Sequence, residues 1–355
     1  MSAGRTRKMV YLMTFLTAAF LSGIRGGEYE TIYAELTKEN SKPTTWKMGL
    51  NPAFSSKSLK QISSFLGDLT LLREGTNGPL KTKIAEKIDL PTNFDARTHW
   101  PYCKYIGFIR DQSNCGSCWA VSSASVITDR HCIASNGFEQ PYISDEQLLA
   151  CCTSCGFGCN GGYPADAFEF WIDKGLVTGG PYGDRKSCMP YEIQPCEEPE
   201  GSAETPQCKE KCVEGYSIDK NDDTFHGNSY YHLKSNETLI RQEIYQNGPV
   251  EASFSVYMDF LYYISGIYTY TAGRYLGGHA VRIIGWGEEN GVPYWLVTNS
   301  WGQTFGEHGI FRIKRGSNEC FIETRVIGGI AKRRLPDVRV QQQKNMPRQS
   351  TSKEN

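Results

Sequence analysis

Apolar residues recur at helical spacing in two stretches near the start of the chain. In residues 29–38 the spaced positions are Ile32, Tyr33 and Leu36. In residues 58–69 they are Leu59, Ile62, Phe65 and Leu66. This spacing predicts an amphipathic helix over each stretch. Proline and glycine residues between the two stretches would interrupt a continuous helix, so the N-terminal part is predicted to be a small, separate helical segment.

A third helical pattern begins at Cys118, where apolar positions follow at spacings of four and three. The C-terminal half instead favours strands: residues 281–286 and 292–298 are rich in β-branched and aromatic side chains. They flank an Asn-Gly pair, which is a strong hairpin signal. The hairpin would bring His279, before its first strand, close to Asn299, at the end of its second. Together with a strand predicted over 310–313, the pattern indicates an α+β fold.

The two ends of the chain differ from its body. Basic residues precede an apolar run over 9–21, and small residues follow, so residues 1–26 are predicted to be a secretory signal peptide. The run is too short to span a bilayer comfortably, and no later stretch approaches about 20 apolar residues. We therefore expect no membrane span in the mature protein and a lysosomal or extracellular location. Residues 331–355, basic and then polar, are predicted to be a disordered extension.

Composition fits a globular protein. The 355 residues are 39% hydrophobic, which is enough for a substantial core. The formal net charge of −1 gives no electrostatic case for binding nucleic acid.

All thirteen cysteines lie between Cys103 and Cys320. In a secreted chain this number predicts a disulfide framework, and the odd count leaves at least one thiol without an intramolecular partner. The cluster of Cys151, Cys152, Cys155 and Cys159 could alternatively ligate zinc. The oxidising compartment and the lack of a second closely spaced Cys or His pair favour disulfides, so no metal or other cofactor is predicted.

The N-terminus of the third helix would make Cys118 a nucleophile, because unpaired N–H groups there favour thiolate over thiol. A buried structural cysteine is the alternative. A thiolate nucleophile needs a base, and that base needs a group to fix its tautomer. His279 and Asn299 fit these two roles, and Trp301 can shield their hydrogen bond. Gln112 fits the role of a donor that stabilises the oxyanion together with the Cys118 N–H.

Five stretches of the chain carry a family resemblance. From residue 28 to 330 the chain resembles papain-family cysteine proteases, and among them the cathepsin B type. The matching stretches are 90–97, 112–120 (Gln-Ser-Asn-Cys-Gly-Ser-Cys-Trp-Ala), 158–164, 277–280 and 294–301.

The resemblance implies a papain-like fold with a helical lobe, a β-rich lobe and the active site in the cleft between them. Residues 27–88 would be an inhibitory propeptide and 89–330 the peptidase domain. Cys118, His279 and Asn299 would form the catalytic triad, with Gln112 in the oxyanion hole. The substrate backbone would be held by Gly161, Gly162 and Gly278, and Trp301 would border the leaving-group side.

The resemblance also implies five disulfides: Cys103 with Cys132, Cys115 with Cys159, Cys151 with Cys208, Cys152 with Cys155, and Cys188 with Cys212. Cys196 and Cys320 are left over, and whether they pair stays open at this stage. The partners implied are protein and peptide substrates, the chain's own propeptide and cystatin-type inhibitors. Asn236 opens an Asn-Glu-Thr glycosylation sequon.

Two departures from cathepsin B affect the expected activity. Its occluding loop carries paired histidines that bind a substrate's C-terminal carboxylate, whereas residues 197–207 here contain glutamates and no histidine. Endopeptidase activity with weak dipeptide trimming is therefore expected. Cathepsin B also has a glutamate at the position of Arg325, at the base of the pocket for the second residue before the scissile bond. Reversing this charge should disfavour basic side chains there, unless Arg325 points to solvent.

Two alternatives belong to other function classes. A catalytically silent binding protein would need a disrupted triad, and all four key positions are present. A ligase or transpeptidase on the same scaffold would differ only in accepting an amine instead of water.

Overall fold

The computed structural model describes residues 27–39, 44–54, 57–73, 75, 78–82, 88–195 and 202–334. The predicted signal peptide, Cys196 and the chain beyond residue 334 lie outside the described residues. No helix within the described part is long and apolar enough to cross a bilayer.

A ten-stranded sheet forms the scaffold of the β-rich half. Its strands are β1 (Trp46–Met48), β2 (Leu80–Lys81), β3 (Phe94–Asp95), β4 (Gly227–Leu233), β5 (Val250–Tyr257), β6 (Tyr263–Tyr268), β7 (Tyr275–Glu289), β8 (Val292–Thr298), β9 (Ile310–Lys314) and β10 (Arg325–Ala331). Their order is β1-β6-β9-β8-β7-β5-β10-β4-β2, with β3 paired to β7. The predicted hairpin is present as β7 and β8, and its turn residues Asn290 and Gly291 both have positive φ.

Seven α-helices occur among the described residues. They are α1 (Glu28–Glu39), α2 (Leu59–Ser63), α3 (Ala96–His99), α4 (Cys118–Ala134), α5 (Asp145–Cys151), α6 (Pro164–Asp173) and α7 (Glu237–Asn247). The longest, α4, is almost entirely buried. It is tied to the sheet by Arg282 of β7, whose guanidinium donates to the Asp129 carboxylate at 2.8 Å. This buried ion pair joins the C-terminal half of α4 to the centre of β7.

Hydrophobic side chains form two main cores. One lies around α4, α5 and α6 and includes Trp119, Phe168 and Trp171. The other fills the β-rich half. The two-lobed α+β architecture expected from the sequence is therefore confirmed.

The predicted propeptide packs against the β-rich half and shares its core. Tyr29 of α1 stacks on Tyr262 with ring centroids 4.5 Å apart. Strand β1 pairs antiparallel with β6, and β2 pairs parallel with β4, so propeptide strands form both ends of the sheet. The segment is therefore an integral layer of this structure.

Two sequence-based boundaries were wrong. The helix predicted over 58–69 ends at Ser63, because the chain leaves the helix to enter the cleft, where backbone groups of 65–69 bond to the peptidase domain. Residues 331–334, predicted to be part of a disordered extension, are ordered in this structure. Ala331 belongs to β10, the Lys332 N–H donates to the His226 carbonyl at 2.9 Å, and the Arg334 guanidinium lies 4.3 Å from the Phe225 ring centre.

The structure contains the five disulfides that the resemblance implied, Cys103–Cys132, Cys115–Cys159, Cys151–Cys208, Cys152–Cys155 and Cys188–Cys212. Cys118 and Cys320 are free thiols, and both are buried. The cysteine cluster of 151–159 is thus consumed by disulfides. No group of three or more potential metal ligands occurs within the described ranges.

Candidate active site

The Cys118 thiol lies at the N-terminus of α4 and is fully buried. Ser117 is the N-cap residue but gives no side-chain cap. Its hydroxyl instead lies 2.7 Å from the Tyr191 hydroxyl, which donates to the Gln112 carbonyl at 2.9 Å. These bonds hold the segment before Cys118 in place. Sequence reasoning missed Tyr191, because nothing in its local pattern relates it to a residue 74 positions earlier.

His279 and Asn299 meet as the hairpin predicted. His279 Nε2 lies 2.7 Å from the Asn299 side-chain oxygen. The Trp301 ring stacks on the imidazole at 4.5 Å and covers this bond. The other ring nitrogen, Nδ1, has no hydrogen-bond partner among the described residues. An imidazole held in this way keeps Nδ1 available for a proton.

The strand that carries His279 also reaches the thiol. A hydrogen bond from the backbone N–H of Ala280, the next residue, favours the thiolate form of Cys118. The register of β7 against β5 and β8 thus brings His279, Asn299 and Cys118 into one buried site.

Gln112 is also part of this site. Its side-chain nitrogen donates to the carbonyls of Phe65 at 2.8 Å and Cys115 at 2.7 Å. Its side-chain oxygen accepts from the Ser300 hydroxyl at 2.6 Å, which fixes the orientation of the amide. Ser300 was missed at the sequence level, although it adjoins Asn299. Because Phe65 belongs to the predicted propeptide, a propeptide carbonyl already occupies the Gln112 donor.

Residues Gly67–Leu69 of the propeptide lie along the cleft. The Gly162 N–H donates to the Gly67 carbonyl at 2.9 Å, and the Leu69 N–H donates to the Gly162 carbonyl at 3.0 Å. The Asp68 N–H donates to the Gly278 carbonyl at 3.2 Å. Two of the glycines expected to hold substrate backbone therefore hold propeptide backbone here.

These close approaches leave little room for side chains. A Cβ on Gly278 would lie 2.3 Å from the Asp68 carbonyl oxygen, and one on Gly161 would lie 2.9 Å from that of Gly67. A Cβ on Gly162 would meet the Trp119 ring at 2.6 Å. Glycine at these positions lets another backbone approach the cleft wall.

Burial beneath the propeptide changes the proton equilibria. Desolvation raises the pKa of the Cys118 thiol to about 12, and the nearby Asp68 carboxylate adds to this rise. Burial lowers the pKa of His279 to about 4, while its bond to Asn299 acts in the opposite direction. The backbone N–H of Trp119, in the first turn of α4, does favour the thiolate, but in this covered state the loss of water outweighs it and the thiol form prevails.

Arg325 contacts the propeptide residues that follow Asp68 in the chain. Its guanidinium donates to the backbone carbonyls of Gly75 at 2.6 Å and Arg73 at 3.3 Å. On β10 it stands opposite Ser253 of β5. The side chain thus contacts the propeptide, and it is close enough to Asp68 to act on its carboxylate electrostatically.

The end of the loop after Cys196 lies beside residues 114–118, which lead to the Cys118 thiol; we call these residues the nucleophile segment. The Ala203 N–H donates to the Asn114 carbonyl at 2.8 Å, and the Thr205 hydroxyl accepts from the Cys159 N–H at 2.9 Å. Residues 196–201 lie outside the described residues, so of the predicted loop only its second half is seen. That half contains Glu204 and no histidine.

Asn236 is exposed and caps α7, with its side-chain oxygen accepting from the Leu239 N–H at 2.9 Å. The cap uses only the oxygen of the amide. The side-chain nitrogen, to which a glycan would be attached, is not required for the cap.

Comparison with known proteins gives consistent matches. The family model described as papain family cysteine protease matches residues 90–330. The chain is 53% identical over 247 residues to cathepsin B-like cysteine proteinase 3 of Caenorhabditis elegans, an alignment that covers 68% of this chain and 66% of that protein. It is 41% identical over 311 residues to cathepsin B-like cysteine proteinase 4 of the same organism, covering 82% of this chain and 90% of the other.

A solved structure extends the likeness to the propeptide region. The procathepsin B S9 of Trypanosoma congolense matches with a TM-score of 0.76 at 34% identity. The match covers 86% of this chain and 100% of that chain.

Proposed function

Because this chain belongs to the papain family of cysteine proteases, we propose that it is the zymogen of a cathepsin B-type cysteine endopeptidase. The observation that carries the proposal is the buried imidazole of His279, which Asn299 orients and whose Nδ1 has no partner among the described residues, while the backbone N–H of the next residue, Ala280, bonds to the Cys118 thiol. This is the arrangement that a thiol nucleophile needs from its base.

In the proposed reaction, His279 Nδ1 takes the proton from the Cys118 thiol once the propeptide has left. The thiolate then attacks the carbonyl carbon of the scissile peptide bond. The oxyanion accepts hydrogen bonds from the Gln112 side-chain nitrogen and the Cys118 N–H. His279 returns the proton to the leaving amine as the C–N bond breaks, which leaves a thioester on Cys118. Water, deprotonated by His279, hydrolyses the thioester and releases the acid product.

The propeptide is proposed to inhibit by occupying the cleft in the direction opposite to substrate. The propeptide chain first contacts the Gln112 side chain, through the Phe65 carbonyl. It then runs beside Gly162, which bonds to the backbone on either side of Asp68. A substrate whose second residue before the scissile bond sits near Arg325 would pass these places in the reverse order. The Phe65 carbonyl therefore takes the oxyanion donor without presenting a peptide bond in a reactive orientation.

The direct test uses the activated enzyme and its Cys118→Ala variant on a peptide library at acidic pH. Cleavage by the first and none by the second is expected. Equal cleavage by both would overturn the proposal. Adding an amine nucleophile to the same reactions distinguishes hydrolysis from peptide ligation, because ligation yields amine adducts.

Dipeptide trimming from C-termini is proposed to be weak. The sequence 197–207 supplies carboxylates and no histidine, and like charges repel a substrate's C-terminal carboxylate. A peptide with a free C-terminus and its C-terminally amidated twin give the test. Similar rates of internal cleavage with little dipeptide release are expected, and rapid dipeptide release from the free peptide alone would contradict the proposal.

Arg325 is proposed to disfavour basic substrate side chains in the pocket that it borders. Peptides that differ only by Arg, Leu or Gln at the second residue before the scissile bond test this role. A strong preference for arginine would exclude it.

We also propose passage through the secretory pathway to the lysosome or the exterior, glycosylation at Asn236 and inhibition by cystatin-type proteins. An N-glycosidase should lower the mass of the secreted protein, and Asn236→Gln should remove that change. A retained shift in Asn236→Gln would place the glycan elsewhere.

A further inference from the structure

The pocket beside Arg325 contains a second ionisable group that no motif indicated. Glu251 and Ser253 are two residues apart on β5, so their side chains project from the same face of the strand. Ser253 stands opposite Arg325 on β10, and Glu251 stands opposite Ile327. One carboxyl, one hydroxyl and one guanidinium thus line a common surface.

The propeptide residue Asp68 fills this surface in the zymogen. Asp68 is 2% exposed, and the nearby Ser253 hydroxyl and the charge of Arg325 both favour its carboxylate form. Its Oδ1 also accepts from the Thr70 N–H at 2.8 Å. An acidic side chain therefore already occupies the pocket, in the absence of any substrate.

Glu251 is the unusual member of this group. It has no solvent exposure, neither of its carboxyl oxygens has a hydrogen-bond partner of normal geometry among the described residues, and the Ser253 hydroxyl is close enough to favour its charged form. Ionised carboxylates at such a position normally have partners. The Glu251 carboxyl is buried without a well-placed partner, and an acidic side chain lies beside it. We therefore expect Glu251 to interact with whichever side chain fills the pocket.

The other charged groups around β5 are engaged elsewhere. Arg282 stands opposite Glu251 on β7, but its guanidinium is bound to Asp129. On α4, Arg130 is paired with Glu243. The groups whose charge faces the pocket are therefore Arg325 of β10 and, from the propeptide, Asp68. The Cys118 thiol lies near Asp68 as well.

We propose that Glu251 determines specificity in the mature enzyme, where with Ser253 and Arg325 it admits an acidic substrate side chain only while a proton is shared between the two carboxyls. The inference rests on the proposed peptidase function. With a neutral side chain in the pocket, Glu251 meets no second carboxylate. An acidic side chain brings a second negative charge close to Glu251, as Asp68 does in the zymogen, so one of the two carboxyls must be protonated.

The direction of the pH effect follows from burial. Desolvation raises the pKa of Glu251 well above its ordinary value, and the Asp68 carboxylate raises it further. Two carboxyls in one pocket bind their protons as a coupled pair. Binding of an acidic side chain requires one more proton than binding of a neutral one. The ratio of the two rates should therefore fall by up to about tenfold per pH unit once the free pocket has lost its proton.

The test compares two peptides that are identical except for Glu or Gln at the residue that enters the pocket. The full chain is expressed and activated, and the resulting mature enzyme is assayed between about pH 4.5 and 7.5. The measured quantity is kcat/KM for the Glu peptide divided by kcat/KM for the Gln peptide. The wild-type ratio is expected to fall with pH. In Glu251→Gln, a near-isosteric change, the ratio should fall much less, since only the substrate carboxyl still titrates. In Arg325→Gln the ratio should be lower than wild type at every pH.

The possible outcomes separate the two proposals. A wild-type ratio that does not change with pH overturns this inference without any variant, provided that the Gln peptide is cleaved. An unchanged slope in Glu251→Gln overturns it as well. If the Gln peptide is not cleaved by the wild-type enzyme, the peptidase function itself is refuted and the inference falls with it.

Discussion

Substituting Gly67 by alanine should open the zymogen, because Gly67 has no room for a side chain where the propeptide crosses the nucleophile segment. An added Cβ would lie 1.8 Å from the carbonyl oxygen of Gly116, whereas real Cβ atoms essentially never approach closer than 3.0 Å. Both groups are backbone, so no side-chain rotation can relieve the clash. The propeptide must withdraw by roughly 1.2 Å at this point.

The magnitude follows from the hydrogen bonds that such a shift disrupts. Three backbone bonds hold residues 67–69 in the cleft, at 2.9, 3.0 and 3.2 Å. Each contributes about 1 kcal/mol net, so losing two or three of them costs about 2–3 kcal/mol. Since about 1.4 kcal/mol is a tenfold change in an equilibrium constant, the open fraction should rise roughly 30- to 140-fold.

Alkylation of the Cys118 thiol by iodoacetamide measures this open fraction. The reaction is run at neutral pH on intact zymogen at low concentration, and the labelled peptide is quantified by mass spectrometry. If opening is fast relative to labelling, the rate follows the open population. The free, buried thiol of Cys320 serves as an internal control, and Gly75→Asn is the matched variant, since a Cβ there meets nothing within 4 Å. A Cys118 labelling rate within twofold of wild type in Gly67→Ala would refute the reasoning.

Three further predictions concern other parts of the molecule. Gln112→Ala should lower kcat/KM by about 10²–10³ in the activated enzyme, whereas Ser300→Ala should cost less because the amide is retained; equal losses would contradict the role of Gln112 as the donor. In the Cys118→Ala zymogen, Arg282→Met should reduce the free energy of unfolding in urea by about 3–5 kcal/mol, because it leaves Asp129 buried and unpaired; a loss below about 1 kcal/mol would disagree. Burial raises the pKa of Glu146 to about 8 from 4.5. Its protonated form supports folding fully below about pH 4.5 and this support is lost as pH rises to about 8, so Glu146→Gln should raise the Tm at pH 8 more than at pH 4.5, and equal changes would oppose this.

Local signals were sufficient for the parts of the site that lie on single elements. The helix that begins at Cys118 and the hairpin between His279 and Asn299 could be predicted because periodicity and an Asn-Gly turn determine them. The disulfide pairings came from resemblance, since cysteine spacing alone allows many connectivities.

Long-range contacts account for what the sequence did not predict. Residues 58–69 have a helical pattern throughout, yet the helix ends at Ser63 because cleft contacts compete for the backbone of the residues that follow. The bond between Gln112 and Ser300, and the meeting of Asp68 with Glu251, depend on tertiary packing across more than a hundred residues. The thiol's protonation state depends on removal of water by a segment about 50 residues earlier in the chain.

The propeptide strands β1 and β2 lie at opposite ends of the sheet, and their removal has a cost for solubility. Excision leaves β6 and β4 with unpaired N–H and C=O groups, and it uncovers the aromatic face of Tyr262. Bare strand edges are templates for pairing with another chain. The mature enzyme should therefore be more prone to self-association than the proform. The proform should be the better species for storage, concentration and refolding.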